Sequence, residues 1–230
     1  MGLIIVASTF CKFRTAARFM SAALCVCALP ALAAESVSPF TASAYAQGAE
    51  SKGVVVVSVN WGRQWKCGRF DNAQLKSLSF DKVGSSEASK DQAKADLVLE
   101  DKTLLPAPTR FVNLAYIAEP GEYQLSAFSV KVAKSTSDVG YSNASRADLL
   151  RNGKSSAGSF TVAPGEVVYI GHFFLDCAKD PMPWRYYPSS RDDFDQYLKR
   201  VKTDFEALDT SKAKFRLFNT TTLGEPFTLP

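Results

Sequence analysis

The only histidine of the chain, His172, limits the chemistry that the sequence can support. Serine–histidine catalysis, cysteine–histidine catalysis and most zinc sites need an imidazole, so each of them would have to use this residue. His172 lies inside Val167–Asp176, a run that is apolar at both odd and even positions. In an extended strand it would share a face with Ile170 and Phe174. We expect it to be a packed side chain or one at the rim of a sheet.

Other catalytic and metal-binding patterns are incomplete. Gly140–Ala144 lacks the final glycine of a nucleophile elbow, and Gly153–Ser155 lacks the earlier glycine of a phosphate-binding loop. Asp192, Asp193 and Asp195 lack the glycine turn of a calcium loop and fit a helix start. We therefore expect no cofactor, no metal site and a non-enzymatic protein. Dispersed carboxylates stay an alternative, because the two acids of a glycosidase can be far apart in sequence.

The N-terminal 33 residues predict export. Three basic residues precede the apolar run Met20–Leu29, and Pro30 and the small-residue triplet Ala31–Ala33 follow it. This order is that of a secretory signal peptide, with cleavage expected near Ala33. The run is far shorter than the roughly 20 residues of a bilayer-spanning helix, so we expect no transmembrane span. The residues before Cys27 do not fit a lipoprotein signal, so we expect a periplasmic or extracellular protein without a lipid anchor.

Cleavage would leave a nearly neutral mature chain. Residues 1–33 contain three basic and no acidic side chains, so the net charge falls from +4 to +1. A protein that binds nucleic acid usually has a clear excess of Lys and Arg, so we expect no nucleic-acid partner.

Small polar residues at 34–52 predict a flexible linker, and 53–230 suits a single β-rich globular domain. The remaining cysteines, Cys67 and Cys177, predict one disulfide in an oxidising compartment, with two buried thiols as the alternative.

The sequence of the mature chain predicts a series of short strands. Val54–Val59 is β-branched, as expected of a strand buried on both faces. Further strand candidates are Leu75–Val83, Asp96–Glu100, Arg110–Ile117, Tyr123–Val132, Ser159–Ala163, Val167–Asp176 and Lys214–Phe218. The polar stretches Gly84–Lys94 and Lys134–Ser156 are predicted to be excursions from the sheet. Short strands with turn signals between them predict a mainly β fold, an antiparallel β-sandwich.

Two Pro-Gly turns predict hairpins. Pro120-Gly121 precedes the candidate strand Tyr123–Val132, and Pro164-Gly165 precedes Val167–Asp176. Proline sets φ at the first central position of a type II turn, and glycine supplies the positive φ of the second. Together with the Pro120-Gly121 turn before it, the stretch Tyr123–Val130 resembles the corresponding stretch of bacterial immunoglobulin-like and transthyretin-like modules over about a dozen residues. That resemblance implies a sandwich of immunoglobulin-like or transthyretin-like general architecture.

One amphipathic α-helix is predicted near the C-terminus. Apolar residues recur at helical spacing over Phe194–Leu208, Ser190 precedes them as a cap, and acidic residues occupy the first turn. The apolar stripe should lie against the sheet, because an isolated helix of this length is marginal in water. A capping serine also predicts one helical turn over Ser145–Leu150.

Aromatic and arginine residues near the two cysteines form a candidate ligand or partner surface. If the disulfide forms, segments 61–69 and 181–188 meet at one end of the domain. The surface would contain Trp61, Arg63, Trp65, Arg69, Trp184, Arg185, Tyr186 and Tyr187. Aromatic rings cover the apolar faces of sugars, arginine adds planar donors, and both are frequent in protein hot spots. The competing interpretation is a satellite core of packed rings.

Together these features predict an exported, non-enzymatic binding or structural module of the cell envelope. Its partner would be an envelope protein or a glycan. A secreted hydrolase, using dispersed carboxylates or His172 with a loop serine, is the first alternative. An inhibitor or immunity-type protein is the second.

Overall fold

The computed structural model describes residues 36–84, 94–101 and 109–229. The expected signal peptide lies outside the described residues, as does most of the excursion Gly84–Lys94. The strands, in chain order, are β1 (Val37–Pro39), β2 (Gly53–Asn60), β3 (Gln64–Cys67), β4 (Phe70–Lys82), β5 (Leu97–Glu100), β6 (Phe111–Ala118), β7 (Gly121–Ala133), β8 (Val139–Ala144), β9 (Leu150–Arg151), β10 (Lys154–Ser155), β11 (Ser159–Val162), β12 (Val167–Asp176), β13 (Met182–Tyr186) and β14 (Ala213–Phe215). The helices are α1 (Ala42–Gly48), α2 (Arg146–Leu149) and α3 (Arg191–Asp204).

Most of these strands form two six-stranded sheets. Sheet A has the order β1-β6-β2-β12-β13, and β14 also pairs with β12. Its β2–β12 and β12–β14 pairs are parallel, and its other pairs are antiparallel. Sheet B has the order β11-β7-β4-β3, with β5 on β4 and β8 on β7, and all of these pairs are antiparallel. Strands β9 and β10 form a small separate hairpin.

The main core lies between the two sheets. Phe80 of β4 and Phe173 of β12 meet there edge to face, with ring centroids 6.4 Å apart. Every residue of β2 is buried, as its continuous β-branched sequence predicts. Val55 and Val57 belong to the core between the sheets, whereas Val54 and Val56 belong to a second core on the outer face of sheet A.

Helix α3 covers this outer face. Phe194, Tyr197 and Val201 are buried in the second core, and the Ser190 hydroxyl accepts a hydrogen bond from the amide of Asp193 at 3.2 Å. The predicted helix, its cap and the packing of its apolar stripe are confirmed. The molecule is thus mainly β, with two facing sheets and a helix on one face, as the sequence predicted. The expected antiparallel pairing holds for sheet B, whereas sheet A is mixed because β12 pairs in parallel with β2 and β14.

Both predicted Pro-Gly hairpins are wrong. Strand β6 belongs to sheet A and β7 to sheet B, while β11 belongs to sheet B and β12 to sheet A. The turn chemistry is present at the second site, where Gly165 has φ +70° and the amide of Glu166 donates to Ala163 O at 3.3 Å. A Pro-Gly turn sets local dihedral angles but does not select the partner strand, and here each turn carries the chain between sheets.

The flexible linker expected at 34–52 is replaced, from residue 36, by β1 and α1. Val37 pairs with Ala118 of β6, and the Phe40 ring packs against Phe205 with centroids 5.7 Å apart. Most apolar residues of this segment are alanines, and its larger ones, Val37, Phe40 and Tyr45, do not recur at a strand or helix period. Tertiary contacts rather than local propensity therefore hold it on sheet A.

The predicted excursion Lys134–Ser156 also contains regular structure. It contains β8, α2, β9 and β10. The helical turn predicted near Ser145 is confirmed, since Ser145 and Asp148 form a capping box. Strand β8 was missed because it is an edge strand with a polar, largely exposed sequence, and pairing with β7 is what makes it extended.

Candidate functional site

A disulfide joins the two sheets at one end of the sandwich. Cys67 ends β3 of sheet B, Cys177 follows β12 of sheet A, and their Cα atoms lie 4.5 Å apart. The predicted pairing is confirmed, and the alternative of two free thiols is wrong. Beside it, Gly68 has φ +58°, and a Cβ atom at this position would lie 1.6 Å from Lys179 O. Only glycine permits this close approach of the two segments.

The tryptophans near the disulfide occupy different environments. Trp61 is 5% exposed and belongs to the core between the sheets, whereas Trp65 on β3 is 69% exposed. The Arg63 guanidinium lies over the Trp65 ring, 5.5 Å from its centroid. Trp184 on β13 is half-buried and stands opposite Phe174 of β12.

The remaining members of the predicted surface are also divided. Arg69 is exposed and forms a 3.1 Å ion pair with Asp180, whereas Arg185 is 1% exposed. Tyr186 and Tyr187 line a cleft beside α3. The structure therefore divides the eight residues. Trp65 and Arg69 are exposed, Arg63 and Trp184 are half-buried, Tyr186 and Tyr187 line the cleft, and Trp61 and Arg185 are buried.

This cleft, called here the α3 cleft, lies between α3 and the outer face of sheet A. Its volume is about 410 Å³. Its walls are largely aromatic, and they include Phe111, Phe174, Tyr186, Tyr187 and Tyr197, with Arg200 and His172 as the basic groups. A second cavity of about 560 Å³ shares Phe111, His172, Tyr197 and Arg200 and continues along α3 to Asp204. Sequence reasoning missed Phe111 and Arg200, because no local pattern links β6 to α3.

His172 lies between these two cavities. Its Nδ1 is 2.5 Å from the hydroxyl oxygen of Tyr169, and the rings of Phe111 and Tyr197 lie 4.8 and 4.9 Å from its ring centroid. Burial, reinforced by the positive charge of Arg200, lowers the pKa of His172 to about 4. The imidazole is therefore neutral at pH 7.

The face on which His172 lies differs from the prediction. Ile170 belongs to the core between the sheets, whereas Tyr169, His172 and Phe174 face α3 or the cleft. The pairing of β12 with β2 shifts register between Tyr169 and His172, and Gly171, which lies in this interval, has φ +121°. This irregularity changes the alternation of side chains, so His172 shares a face with Tyr169 and Phe174 but not with Ile170.

Two hydrogen bonds link β2, β6 and α3 beside the second cavity. The hydroxyl of Ser58 donates to Oδ1 of Asn113 at 2.5 Å, and Nδ2 of Asn113 donates to Oδ2 of Asp204 at 2.6 Å. Ser58 is the register partner of His172, but its hydrogen bond goes to the amide. Ser142, the serine of the elbow-like sequence, lies on β8 of sheet B.

The histidine and the tyrosine of α3 that line the α3 cleft are both uncharged at pH 7. The hydrogen bond that His172 forms within the described ranges is the one with the Tyr169 hydroxyl. Burial raises the pKa of Tyr197, so its phenol is neutral at pH 7. The cleft offers aromatic faces, a neutral imidazole, the exposed guanidinium of Arg200 and the carboxylate of Asp193.

Comparison with known proteins adds no relative: no family model, no curated protein and no solved structure matches the chain. None of the helices in the described segments is long and apolar enough to cross a membrane. Over residues 36–84, 94–101 and 109–229, no three His, Cys, Asp or Glu side chains lie close enough together to hold a metal ion.

Proposed function

We propose that this chain is an exported, non-enzymatic binding module of the cell envelope whose α3 cleft holds a sugar unit of an envelope glycan. The observation that carries the proposal is the aromatic lining of a cleft of about 410 Å³. Small-ligand sites typically have volumes of roughly 300–1,000 Å³ and mostly apolar walls with a few polar groups. Aromatic faces suit the apolar faces of sugar rings, which have polar edges.

Arg200 supports an acidic sugar as the ligand. It is exposed at the rim of the α3 cleft and forms no ion pair among the described residues. The nearby carboxylates have other partners: Asp193 accepts from Ser189 and Ser190 at 2.8 and 2.9 Å, and Asp204 accepts from Asn113. The planar guanidinium is well suited to bind a ligand carboxylate with two hydrogen bonds.

The exported location rests on the leader-like N-terminus and on the disulfide. Disulfides persist in oxidising compartments such as the periplasm and the extracellular space. The envelope is where a glycan-binding module would meet its ligand, so location and ligand class support each other.

Retention on insoluble peptidoglycan and on acidic polysaccharide tests the glycan proposal. We expect the purified protein to be retained, and Tyr186→Ala and Arg200→Gln each to weaken retention about tenfold or more, as hot-spot truncations do. Tyr141→Ala is the matched control, because Tyr141 is an exposed tyrosine on β8 of sheet B, outside the cleft. Equal retention of Tyr186→Ala and wild type would reject the α3 cleft as the glycan site.

A protein partner is the second candidate, and Trp65 is the observation that favours it. Trp65 is 69% exposed and lies beside Arg63. Tryptophan and arginine are both enriched in the hot spots of protein interfaces. In this case Trp65→Ala would abolish co-purification with an envelope protein, whereas Tyr186→Ala would not. The two variants therefore separate the two candidates.

A further inference from the structure

Arg185 is the largest fully buried side chain of the molecule as described, with 1% of its surface exposed. It lies on β13 opposite Phe173, so its side chain points to the core side of sheet A. The methylene groups of its side chain pass close to Gly171, where a Cβ atom would lie 2.8 Å from Cγ of Arg185. The lack of a side chain at Gly171, in the irregular part of β12, therefore provides the space that the Arg185 side chain occupies.

The guanidinium of Arg185 is incompletely paired. Nη2 donates to the backbone oxygen of Glu225, but Nε and Nη1 have no hydrogen-bond partner among the described residues. The cation lies over the Tyr187 ring, with Cζ 5.4 Å from the ring centroid. No carboxylate in the described ranges forms an ion pair with it. Buried charges are normally paired, because removal of a cation from water is costly.

Arg185 lines a cavity of about 500 Å³ at the seam between the two sheets. The cavity is polar as well as apolar, and its walls include Ser159, Thr161, Phe215, Phe218, Asn219 and Thr220. It is distinct from the α3 cleft, which lies on the outer face of sheet A. A guanidinium is a strong charge-assisted donor to oxyanions, and the polar side chains of Thr161 and Asn219 line the same cavity.

The other charged groups of this cavity have partners. Arg216 donates to Oε1 of Glu166 at 3.2 Å, and Oε1 of Glu122 accepts from the hydroxyl of Ser159 at 2.6 Å. Among the described residues that line this cavity, the buried side-chain donors without a partner are Nε and Nη1 of Arg185. A small residue lies directly beside them: a Cβ atom on Gly224 would lie 2.9 Å from Nε and from Nη2. The glycine leaves open a space that any side chain would fill.

We propose that this seam cavity binds a small oxyanion, a carboxylate or a phosphate, through the unpaired nitrogens of Arg185. The anion supplies the negative charge that none of the described residues provides in an ion pair with Arg185, and it accepts hydrogen bonds from Nε and Nη1. Pro226, Phe227 and Thr228 line the cavity, and residues 223–228 have no regular secondary structure. The backbone oxygen of Leu223 accepts from the amide of Arg185, and that of Glu225 accepts from Nη2. A bound anion would therefore also tie the C-terminal segment to β13.

The test is a titration of the exported protein with sodium phosphate and, separately, with sodium acetate at constant ionic strength. The side-chain Nε–H resonance of Arg185 is followed by ¹⁵N–¹H NMR. We expect a saturable shift with a midpoint of about 1 mM or tighter for one of the two anions, and the tighter one identifies the ligand class. No saturable shift with either anion would overturn the proposal and indicate that water satisfies Arg185.

Variants separate this site from general anion effects. Gly224→Ala keeps Arg185 but fills the space beside Nε, and we expect it to weaken the response at least tenfold. Arg63→Gln is the matched control, because it removes another arginine that lies over an aromatic ring, and it should leave the response unchanged. Equal loss in both variants would show that the anion binds elsewhere. The wild-type titration decides the question even if Gly224→Ala fails to fold.

Discussion

The hydroxyl oxygen of Tyr169 lies 2.5 Å from Nδ1 of His172, although the two residues are three positions apart on the same strand. Residues three apart in a regular strand point to opposite faces. The register shift in β12, with Gly171 at φ +121°, brings both side chains to the outer face of sheet A. The same irregularity leaves space on the other face for Arg185. One distortion of β12 therefore shapes both the α3 cleft and the seam cavity.

The low pKa of His172 predicts a specific pH dependence of stability. The pKa is about 4 in the folded state and near its ordinary value of 6.5 in the unfolded chain, so the unfolded chain binds more protons between these values. The free energy of unfolding is therefore highest above pH 6.5 and falls as the pH drops towards 4, by up to about 3 kcal/mol. No further change from this residue is expected below pH 4.

Urea unfolding of the wild type and His172→Gln at several pH values between 4 and 7 measures this effect. The carboxylates titrate in both proteins, so the difference between their pH profiles isolates the histidine. We expect the wild type to lose more stability than the variant as the pH falls. Parallel profiles would show that His172 is protonated as readily in the folded protein as in the unfolded chain.

Gly171→Ala should destabilise the fold by about 2–4 kcal/mol. The backbone has a positive φ at this position, and the new Cβ atom would lie 2.8 Å from Cγ of Arg185. The matched control is Gly140→Ala, since no atom lies within 4 Å of a Cβ atom there. Thermal and urea unfolding should leave the control at or slightly above the wild-type stability. A similar loss in both variants would argue against strain at Gly171.

Removal of the Cys67–Cys177 disulfide should lower the free energy of unfolding. The two cysteines are 110 positions apart, and the chain-entropy model gives roughly 4 to 5 kcal/mol for such a loop, with smaller values often measured. The double variant Cys67→Ala, Cys177→Ala and the reduced wild type should show the same loss in urea unfolding. If reduction left stability unchanged, the cross-link would contribute only to local geometry.

Tryptophan emission should resolve into a buried and an exposed component. Trp61 lies in the core, whereas Trp65 is exposed beside Arg63. We expect Trp65→Phe to remove most of the acrylamide-quenchable emission and Trp61→Phe to remove blue-shifted, poorly quenched emission. Uniform quenching that neither variant changes selectively would contradict these two environments.

Several elements were predictable from the chain because they depend on local order. Val54–Val59 is apolar at every position and is buried on both faces. The helical period over Phe194–Leu208 and the serine before it predicted α3 and its cap. The pairing of Cys67 with Cys177 follows from there being two cysteines after the expected leader.

The candidate sites were less predictable because their residues are distant in sequence. Phe111 and Arg200 meet in the α3 cleft although they come from β6 and α3. The eight residues of the predicted aromatic and arginine surface were chosen by their proximity to the cysteines, but Trp61 and Arg185 are buried. Proximity to a cysteine does not reveal which face of a strand a side chain occupies.

By itself, the sequence determined the β-rich class, the amphipathic helix and the disulfide, since periodicity and cysteine number are local or countable properties. Only the tertiary structure decided that the Pro-Gly turns pass between sheets and that His172 shares a face with Tyr169. It also decided that Arg185 is buried with two nitrogens that have no partner in the part of the chain that the structure describes. The reason is physical. Strand partners, a register shift and the burial of a charge depend on contacts between distant segments, and their free energies are set only when those segments pack together.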